Sequence, residues 1–579
     1  MVDIDSIDTQ IENVDQLPVI YGLLQKMNIQ ATIDSAIHPH GNWQGLSVGW
    51  VITVWLMHIL TEHTHQMDCV QEWAGKHLVV LRKLTRQKIT GLDFTDDRLA
   101  LCLRYLAPSD SWSQLENRLT KGVIQVYNLK QKLPARWLMR LDATVGSVGH
   151  DADNHTLFQV GKAKNGLYET LFKMMVASLD PLGIPVAVDV VPGNRADDPL
   201  YVPVYQRIKE IIPEQGLLVV GDSKMSALGT RAAIVSRDDQ YLTPLAHLPE
   251  LLSDLLAGWS DRADEMHLIF LEADLSDDGR MSDESLAIAR AFEVNREHTF
   301  INTGEEMTWT ERLLVVRSFS YRESMITGLH RRLAKAEKAL CTLTPNRSRG
   351  KRQIKDEAGL LSSIERIEKQ YRVQGLFTYE YQQEVTERQI RKYKGKPART
   401  ERKVRFQLTV SRQEAAIAAA EFQMGWRIYA TNAPQAELSL AQAVWAYRGQ
   451  YLAENIFRRL QGKLLSITPV YVQRDDHAQG LFHLLTIAAR LLALGDYTAK
   501  EALAQENDVL TGIYPGNPKR STATPTTERM LQAFDNIHLL IMRLGPQVRY
   551  QLTPLSAVQE RILTLLGLPT TLYTDLQLA

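Results

Sequence analysis

The sequence predicts an α/β core built on a mixed β-sheet, with a helical domain before it and a long helical and β insertion within it. Three observations predict this architecture. Apolar residues recur every three or four positions through residues 1–130. Short runs rich in β-branched residues alternate with helical patterns from about residue 136. Residues 322–395 carry a narrow apolar seam of helical spacing. A chain of 579 residues with 45% apolar composition can bury several cores.

Residues 1–130 are predicted to form a helical domain that binds DNA or another protein. Its longest apolar stretch, Val48–Leu60, is shorter than the ~20 residues that a bilayer requires, so it is predicted as a core helix. The acidic start of the chain lacks the basic and apolar regions of a signal peptide. No helix-turn-helix signature separates a DNA-binding bundle from a dimerisation bundle, and both stay open. Further helices are predicted at Leu17–Met27, Val79–Leu84 and Leu99–Leu106.

Residues 131–245 are predicted to form the first part of the core. The apolar runs in this region are short and bounded by Gly, Asp or Pro, as strands are. Helices predicted at Asp198–Ile212 and Ser226–Val235 separate the later runs, which is typical of a mixed sheet covered by helices. The strands are predicted at Trp137–Thr144, Leu157–Val160, Phe172–Ser178, Ile184–Val191, Leu217–Asp222 and Gln240–Pro244.

Residues 246–422 are predicted to form an insertion that contains a basic helical hairpin. Apolar residues step by three and four from Ile326 to Leu343, and again from Leu360 to Tyr371, which predicts two antiparallel helices. A strand follows at Val404–Val410.

Two further regions complete the predicted organisation. Residues 423–500 form the second part of the core, with a strand at Trp426–Thr431 and a long helix at roughly Leu438–Leu460. Residues 501–579 form a C-terminal helical tail. Helices are predicted near Gly480–Leu494 and Thr527–Leu544.

The formal net charge is −1, from 66 Lys and Arg against 67 Asp and Glu, which by itself argues mildly against a DNA partner. The charges are segregated, however. Residues 322–403 contain 21 Lys and Arg but 10 Asp and Glu, a net charge of about +11. Contacts to DNA phosphates or a solvated charged turn explain the basic residues at the hairpin turn equally well. These residues are Arg347, Arg349, Lys351 and Arg352.

Three isolated cysteines, Cys69, Cys102 and Cys341, form no CxxC pair. A thiolate zinc site and a disulfide framework are therefore not predicted. Reduced thiols are typical of the cytoplasm, and we expect a cytoplasmic protein without a membrane partner.

Two aspartates follow apolar runs that are predicted as buried strands. Asp142 ends the run WLMRLD, and Asp222 ends LLVVGD. Open sheets place ligands at the carboxyl ends of their strands, where a carboxylate can reach a bound metal. Taken alone, each aspartate is more typical of a turn or a helix cap.

A third carboxylate lies in the long helix predicted near residue 450. Spacings of three, four and seven residues place a polar stripe along one side of this helix, with Glu454 at its centre. Either a functional face or a solvated surface explains the stripe. Its members are Tyr447, Gln450, Glu454, Arg458 and Gln461.

Four segments around these residues carry a resemblance to a known family. LDATVGSVG at 141–149, VVPGNRADD at 190–198, VVGDSKMSA at 219–227 and GWRIYATN at 425–432 resemble the catalytic-core blocks of DDE transposases. The chain is most similar to transposases of bacterial insertion sequences in the IS-four superfamily, in its IS-sixteen-thirty-four-like group. The resemblance extends from the helical start of the chain to QLTPLSAVQERILTLLGLP near its end.

The resemblance implies an RNase H-like core with a long insertion before the glutamate helix. Asp142, Asp222 and Glu454 would be the catalytic residues and would hold two Mg²⁺ or Mn²⁺ ions. Hard oxygen ligands without a Cys/His cluster suit Mg²⁺ better than Zn²⁺. Two metals in such a site drive in-line phosphoryl transfer.

The superfamily's helix signature is Tyr, two residues, Arg, three residues, Glu, six residues, Lys. Tyr447 and Glu454 fit this signature, whereas Gln450 stands in the place of the Arg and Gln461 in the place of the Lys. The resemblance assigns those two positions to phosphate and terminal-base contacts, and nearby basic residues are candidates to replace the lost charge. The candidates for DNA binding in this helix are Tyr447, Gln450, Arg458, Arg459, Gln461 and Lys463.

The implied activity is nicking of double-stranded DNA at terminal inverted repeats and transfer of the ends into target DNA. The resemblance also implies a homodimer on paired ends, associated with the bacterial nucleoid. The alternative function is that of a catalytically inactive or domesticated DNA-binding protein of transposase origin, which the two glutamines keep open.

Overall fold

A computed structural model of the chain describes residues 7–132, 137–246, 248–259, 265–271, 286–302, 305–344, 354–391, 397 and 399–578. Some sequence predictions fall outside these residues. They concern the hairpin-turn residues Arg347, Arg349, Lys351 and Arg352.

The N-terminal region consists mostly of helices, as predicted. Its central helix, α3 (Val48–Glu62), is buried from Val48 to Leu60 except for the half-buried Trp50, which explains its unbroken apolar sequence. The Ser47 hydroxyl accepts a hydrogen bond from the Trp50 amide and caps this helix. The other helices are α1 (Leu17–Lys26), α2 (Ile29–Ala36), α4 (Val70–Lys76), α5 (Leu78–Thr85), α6 (Asp96–Leu106), α7 (Ser109–Val126) and α8 (Leu129–Lys132).

The region is not wholly helical, however, and the prediction is wrong at its start. Ile7–Asn13 forms strand β1, which pairs antiparallel with a strand near the C-terminus. Glu12 in this strand is buried and accepts hydrogen bonds from the amides of Val79 and Val80 at 3.2 and 2.9 Å. The Glu12 carboxylate thus satisfies two amide donors in the first turn of α5, which have no partner within the helix.

One mixed sheet of ten described strands forms the centre of the molecule. Its strands are β2 (Leu138–Ser147), β3 (Gln159–Lys162), β4 (Tyr168–Leu179), β5 (Ile184–Pro192), β6 (Leu218–Gly221), β7 (Gln240–Pro244), β8 (His267–Ile269), β9 (Ala289–Asn302), β10 (Glu305–Ser318) and β13 (Trp426–Thr431). Strands β2, β6 and β7 are parallel neighbours, and the other neighbouring pairs are antiparallel. The order is β4, β2, β6, β7, β13, β10, β9, β8, with β3 and β5 both pairing with the outer edge of β4. The mixed α/β core is thus confirmed.

All six predicted core strands are present. Strand β7 has the predicted bounds, and the ends of the others are shifted, most at the run predicted at Phe172–Ser178, where β4 begins at Tyr168. The helices of this part are α9 (Tyr201–Ile211), α10 (Leu228–Val235) and α11 (Pro249–Ala257).

A buried ion cluster joins the N-terminal helices to this sheet. The Glu116 carboxylate in α7 is fully buried and accepts hydrogen bonds from Arg490 at 2.6 Å and from Arg207. It also accepts a hydrogen bond from the Val188 amide of β5 at 3.2 Å. Residues of β5, α9 and α17 therefore meet at one carboxylate of α7.

The insertion contains the predicted helical hairpin. Helices α12 (Phe319–Cys341) and α13 (Glu357–Tyr371) pack through a core that includes Leu333, Leu340 and Leu360. The predicted strand at Val404–Val410 lies within β12 (Arg399–Arg412), which pairs with β11 (Phe377–Ile390), a strand that the sequence analysis missed. Helix α14 (Glu414–Phe422) follows.

The C-terminal part is built on one long helix. This helix, α17 (Asp475–Glu506), is long and apolar enough to cross a bilayer, but 94% of its apolar window is buried against the rest of the protein, and core helices share these properties. The predicted tail helix Thr527–Leu544 is wrong, because α18 (Thr527–Gln532) ends early and β16 (His538–Leu544) pairs with β1. The remaining elements are α15 (Leu440–Arg448), α16 (Tyr451–Gln461), β14 (Leu510–Thr511), β15 (Ser521–Thr522), β17 (Gln547–Leu552), α19 (Ala557–Leu565) and α20 (Thr571–Thr574).

Candidate active site

Two of the predicted carboxylates lie side by side on the central sheet. In the parallel pairing of β2 and β6, Leu141 is the partner of Gly221. Asp142 and Asp222 are the next residues of the two strands, so they occupy matching positions where this pairing ends. Asp222 directly follows β6, as predicted. The prediction that Asp142 ends its strand is wrong, because β2 continues to Ser147 through its pairing with β4.

The Asp222 carboxylate is held by hydrogen bonds on one oxygen. Its Oδ1 accepts from the Tyr201 hydroxyl at 2.5 Å and from the Lys224 amide at 2.9 Å. Burial, together with the nearby charge of Asp222, raises the pKa of Tyr201 well above its usual range, so this phenol stays a donor. Oδ2 of Asp222 accepts no hydrogen bond from any residue that the structure describes.

Asp142 is half-buried, and its charge is disfavoured. The Ala143 amide donates to its Oδ1 at 2.8 Å. Burial raises the pKa of Asp142 to about 6; the Ala143 hydrogen bond opposes this rise and the charge of Asp222 adds to it. Two neighbouring carboxylates with one raised pKa form a site that a cation would stabilise.

The predicted long helix around Glu454 is in fact two helices. Helix α15 ends at Arg448 and α16 begins at Tyr451, so the polar stripe is not continuous. The break lies over β2, where a Cβ on Gly449 would come within 2.2 Å of Arg140 Nη2. Arg140 is itself buried and makes an ion pair with Asp180 at 2.6 Å. The missing side chain of Gly449 thus leaves room for Arg140 at the break, in a pattern that the sequence predicts as one helix.

The break changes how the residues of the stripe are placed. The Gln450 side chain approaches Asp142 closely enough to lower its pKa by hydrogen bonding, while Gln450 Oε1 is buried without a partner in the described structure. Tyr447 is half-buried, and burial above all raises its pKa to about 12, with the charges of Asp222 and Asp142 adding to the rise. Both side chains therefore lie at the two aspartates.

Glu454 is exposed in the first turn of α16 and stands apart from the two aspartates. It lines a cavity of about 380 Å³ together with Tyr447 and Gln450, whereas Asp222 lines a neighbouring cavity of about 530 Å³. Among the residues described, no three Asp, Glu, His or Cys side chains are grouped as a metal site. The structure thus brings two of the three predicted catalytic residues together and places the third beside the adjoining cavity.

The other predicted DNA-binding residues of α16 differ in their surroundings. Gln461 donates to Thr144 Oγ1 and to the Val145 carbonyl, both at 3.0 Å, and so ties α16 to β2. Arg459 makes ion pairs with Glu528 and Asp496 at 2.7 and 2.6 Å. Its charge is therefore neutralised within the C-terminal part of the fold. The side chains of Arg458 and Lys463 are exposed.

Two residues near the site were missed by the sequence analysis. Tyr201 lies at the start of α9 and reaches Asp222 only through the fold, so no local signal identifies it. Arg427 lies in the segment GWRIYATN, which the analysis had singled out, but nothing in the sequence sets this arginine apart from its neighbours.

A match to a family model identifies the protein family of this chain. Residues 141–491, which include all three predicted acids, match the family model of the Transposase DDE domain. The chain belongs to the DDE transposase family. Residues 9–115, which hold most of the N-terminal helices of this transposase, match a second model, a domain of unknown function (DUF4277).

Curated proteins and solved structures do not extend this family assignment. No curated protein matches the chain. Among solved structures, a cryo-EM structure of the piggyBac transposase synaptic complex with hairpin DNA is similar at 10% identity and a TM-score of 0.23. The match covers 53% of this chain and 59% of that one.

The close approach of Arg140 to Gly449 predicts that adding one methyl group at this position destabilises the protein. Gly449→Ala is expected to lower the free energy of unfolding by about 1–3 kcal/mol, because the added Cβ meets a guanidinium that its ion pair holds in place. Urea denaturation measures this change. Gly328→Ala in α12 is the matched control, since its Cβ would meet only Arg332 at 3.6 Å, and we expect it to be neutral or stabilising. Equal effects of the two changes would contradict the contact at Gly449.

Proposed function

We propose that this transposase cuts DNA at the ends of its own element and joins them to target DNA, with Asp142, Asp222 and Glu454 as its catalytic residues. The observation that carries the proposal is the position of Asp142 and Asp222 at matching points of adjacent parallel strands, inside the DDE domain. Such a pair offers a rigid set of carboxylate oxygens at one place.

The residues at this point fit a divalent metal. The donors are hard carboxylate oxygens, and one oxygen of Asp222 is free of hydrogen bonds from described residues. Burial raises the pKa of Asp142, so a bound cation would stabilise its charged form. DDE transposases generally use divalent metal ions, and we propose Mg²⁺ or Mn²⁺, two ions per site, held by Asp142, Asp222 and Glu454.

When bound, two such ions would activate the attacking oxygen and stabilise the leaving oxygen of a phosphodiester. The chain's own residues prepare the site for this chemistry. Tyr201 fixes Asp222 through its hydroxyl, and Gln450 approaches Asp142 from the break between α15 and α16. Glu454 would complete the donor set from the first turn of α16.

We further propose that the core is RNase H-like and that the chain belongs to the IS-sixteen-thirty-four-like group of the IS-four superfamily. The order β5, β4, β2, β6, β7 supports this, since three antiparallel strands are followed by two that are parallel to β2. The insertion between Asp222 and Glu454 supports it as well. A homodimer on paired ends, working at the nucleoid in the bacterial cytoplasm, is part of the same proposal.

DNA binding outside the active site is proposed for the basic insertion and for α16. Residues 322–403 carry the excess positive charge of the chain, and the exposed Arg458 and Lys463 lie beyond Glu454. Arg459 is left out of this set because its two ion pairs occupy it.

The test is cleavage of the DNA that flanks the gene. The purified protein is incubated with duplexes carrying the flanking inverted repeats or a shuffled sequence, in Mg²⁺ or in EDTA. We expect Mg²⁺-dependent nicks at the repeat ends only. Binding of the repeats without any cutting would replace this proposal by the alternative of an inactive DNA-binding protein, which the loss of Arg and Lys at Gln450 and Gln461 favours.

A further inference from the structure

A groove of tyrosine and arginine side chains joins the two halves of the proposed active site. Tyr321, Arg427 and Tyr447 line both the cavity that Asp222 borders and the cavity that Glu454 borders. A strand of DNA that reached from one carboxylate to the other would therefore pass over these three side chains. We refer to Tyr321, Arg427, Tyr447 and the adjoining Tyr429 and Arg448 as the Tyr–Arg groove.

The side chain of Arg427 on β13 is exposed to solvent. Its neighbours Trp426 and Ile428 are buried on β13, whereas the Arg427 side chain is exposed. Its guanidinium lies 4.4 Å from the centre of the Tyr321 ring, a stacking contact that fixes the planar group. Its other close partner is Tyr429. The arginine is thus held in position by aromatic rings.

No carboxylate neutralises this arginine in the part of the chain that the structure describes. By contrast, Arg231 of α10 and Arg296 of β9 both pair with Glu311 of β10, and Arg312 of β10 pairs with Glu293 at 2.5 Å. Among the described residues Arg427 has no such ion pair, and neither has the exposed Arg448. Arg296 and Arg312 of the sheet are therefore neutralised by carboxylates, whereas Arg427 and Arg448 keep their charge available.

Further positive charge lies behind the groove. Arg317 of β10 is the partner of Arg290 in one neighbouring strand and of Trp426 in the other. Burial, together with the charges of Arg322 and Arg290, lowers the pKa of Arg317 to about 10. This accumulation of cations around the start of β13 suits a bound anion nearby.

We propose that Arg427, stacked on Tyr321, binds a DNA phosphate between Asp222 and Glu454 and so positions the strand for cleavage. A guanidinium binds phosphate oxygens with two hydrogen bonds, and its fixed plane reduces the entropy lost on binding. The inference rests on the proposed function. Arg427 would supply, next to Gln450, the guanidinium that the Arg of the helix signature supplies in the superfamily.

The test combines variants of Arg427 with DNA ends in which one phosphate at a time is a neutral methylphosphonate. We expect Arg427→Gln to slow cleavage by about 10- to 100-fold. We expect Arg427→Lys to recover part of the rate. Arg237→Gln is the control, since Arg237 is an exposed arginine before β7, at the opposite end of this strand from the site. Thermal denaturation checks that the variants fold alike.

The methylphosphonate series separates a phosphate contact from a structural role. At one position, we expect the neutral phosphate to weaken DNA binding and cleavage by the wild-type protein but to have little further effect on Arg427→Gln. If Arg427→Gln were as sensitive as the wild type to the neutral methylphosphonate at every position, the inference would be overturned. Binding is measured as well as cutting. A wild type that binds in this Arg427-dependent way but never cuts would overturn the proposed function and leave the phosphate site standing.

Discussion

Replacing Asp222 or Asp142 by Asn is expected to reduce DNA cleavage by about 10³-fold or more. The reason is that each change removes a charged metal ligand, and metal ions contribute several kcal/mol to the stabilisation of a phosphoryl-transfer transition state. Initial rates of nicking on a repeat-end duplex measure the effect. DNA affinity should change little, because phosphate contacts by basic residues dominate binding.

Asp254→Asn is the matched control for this prediction. Asp254 is an exposed acid on α11, outside the site, and its removal should leave the nicking rate unchanged. Residual nicking near the wild-type rate by either site variant would show that the pair on β2 and β6 is not the catalytic centre.

The second large effect is expected in stability. Glu116→Ala should lower the free energy of unfolding by about 3–5 kcal/mol, because it leaves Arg490 buried without its carboxylate. The change also removes the acceptor for the Val188 amide and the partner of Arg207. Urea denaturation followed by circular dichroism measures the loss.

An exposed ion pair provides the comparison for Glu116. Glu214→Ala breaks the pair with Lys130 at 2.7 Å, and we expect a change within about 1 kcal/mol. If Glu116→Ala were as mild as this control, the buried cluster would not be what holds α7, β5 and α17 together.

Local patterns were enough to predict most of the core. The six strands and Asp222 were found because short apolar runs end at turn-forming residues, and the hairpin of α12 and α13 was found from its spacing. Asp142 was identified as a site residue, but the end of its strand was wrong. Pairing with β4 carries β2 on to Ser147, and pairing partners are not visible in a local pattern.

Long-range contacts explain the remaining differences. Strand β1 was missed because its partner, β16, lies more than 500 residues away, and the same pairing ends the predicted tail helix. The helix through Gly449 has a continuous periodic pattern, and only the buried Arg140 beneath it reveals the break. Likewise, the ion pairs of Arg459 and the hydrogen bond from Tyr201 to Asp222 exist only in the folded chain.

The separation of Glu454 from the two aspartates makes one measurement decisive. We would titrate Mn²⁺ into the complex of the protein with its repeat-end DNA and count bound ions by electron paramagnetic resonance. We expect saturable binding of two ions in the wild type, and weaker binding in Asp142→Asn, Asp222→Asn and Glu454→Gln. Unchanged Mn²⁺ binding in all three variants would contradict a metal centre built from these carboxylates.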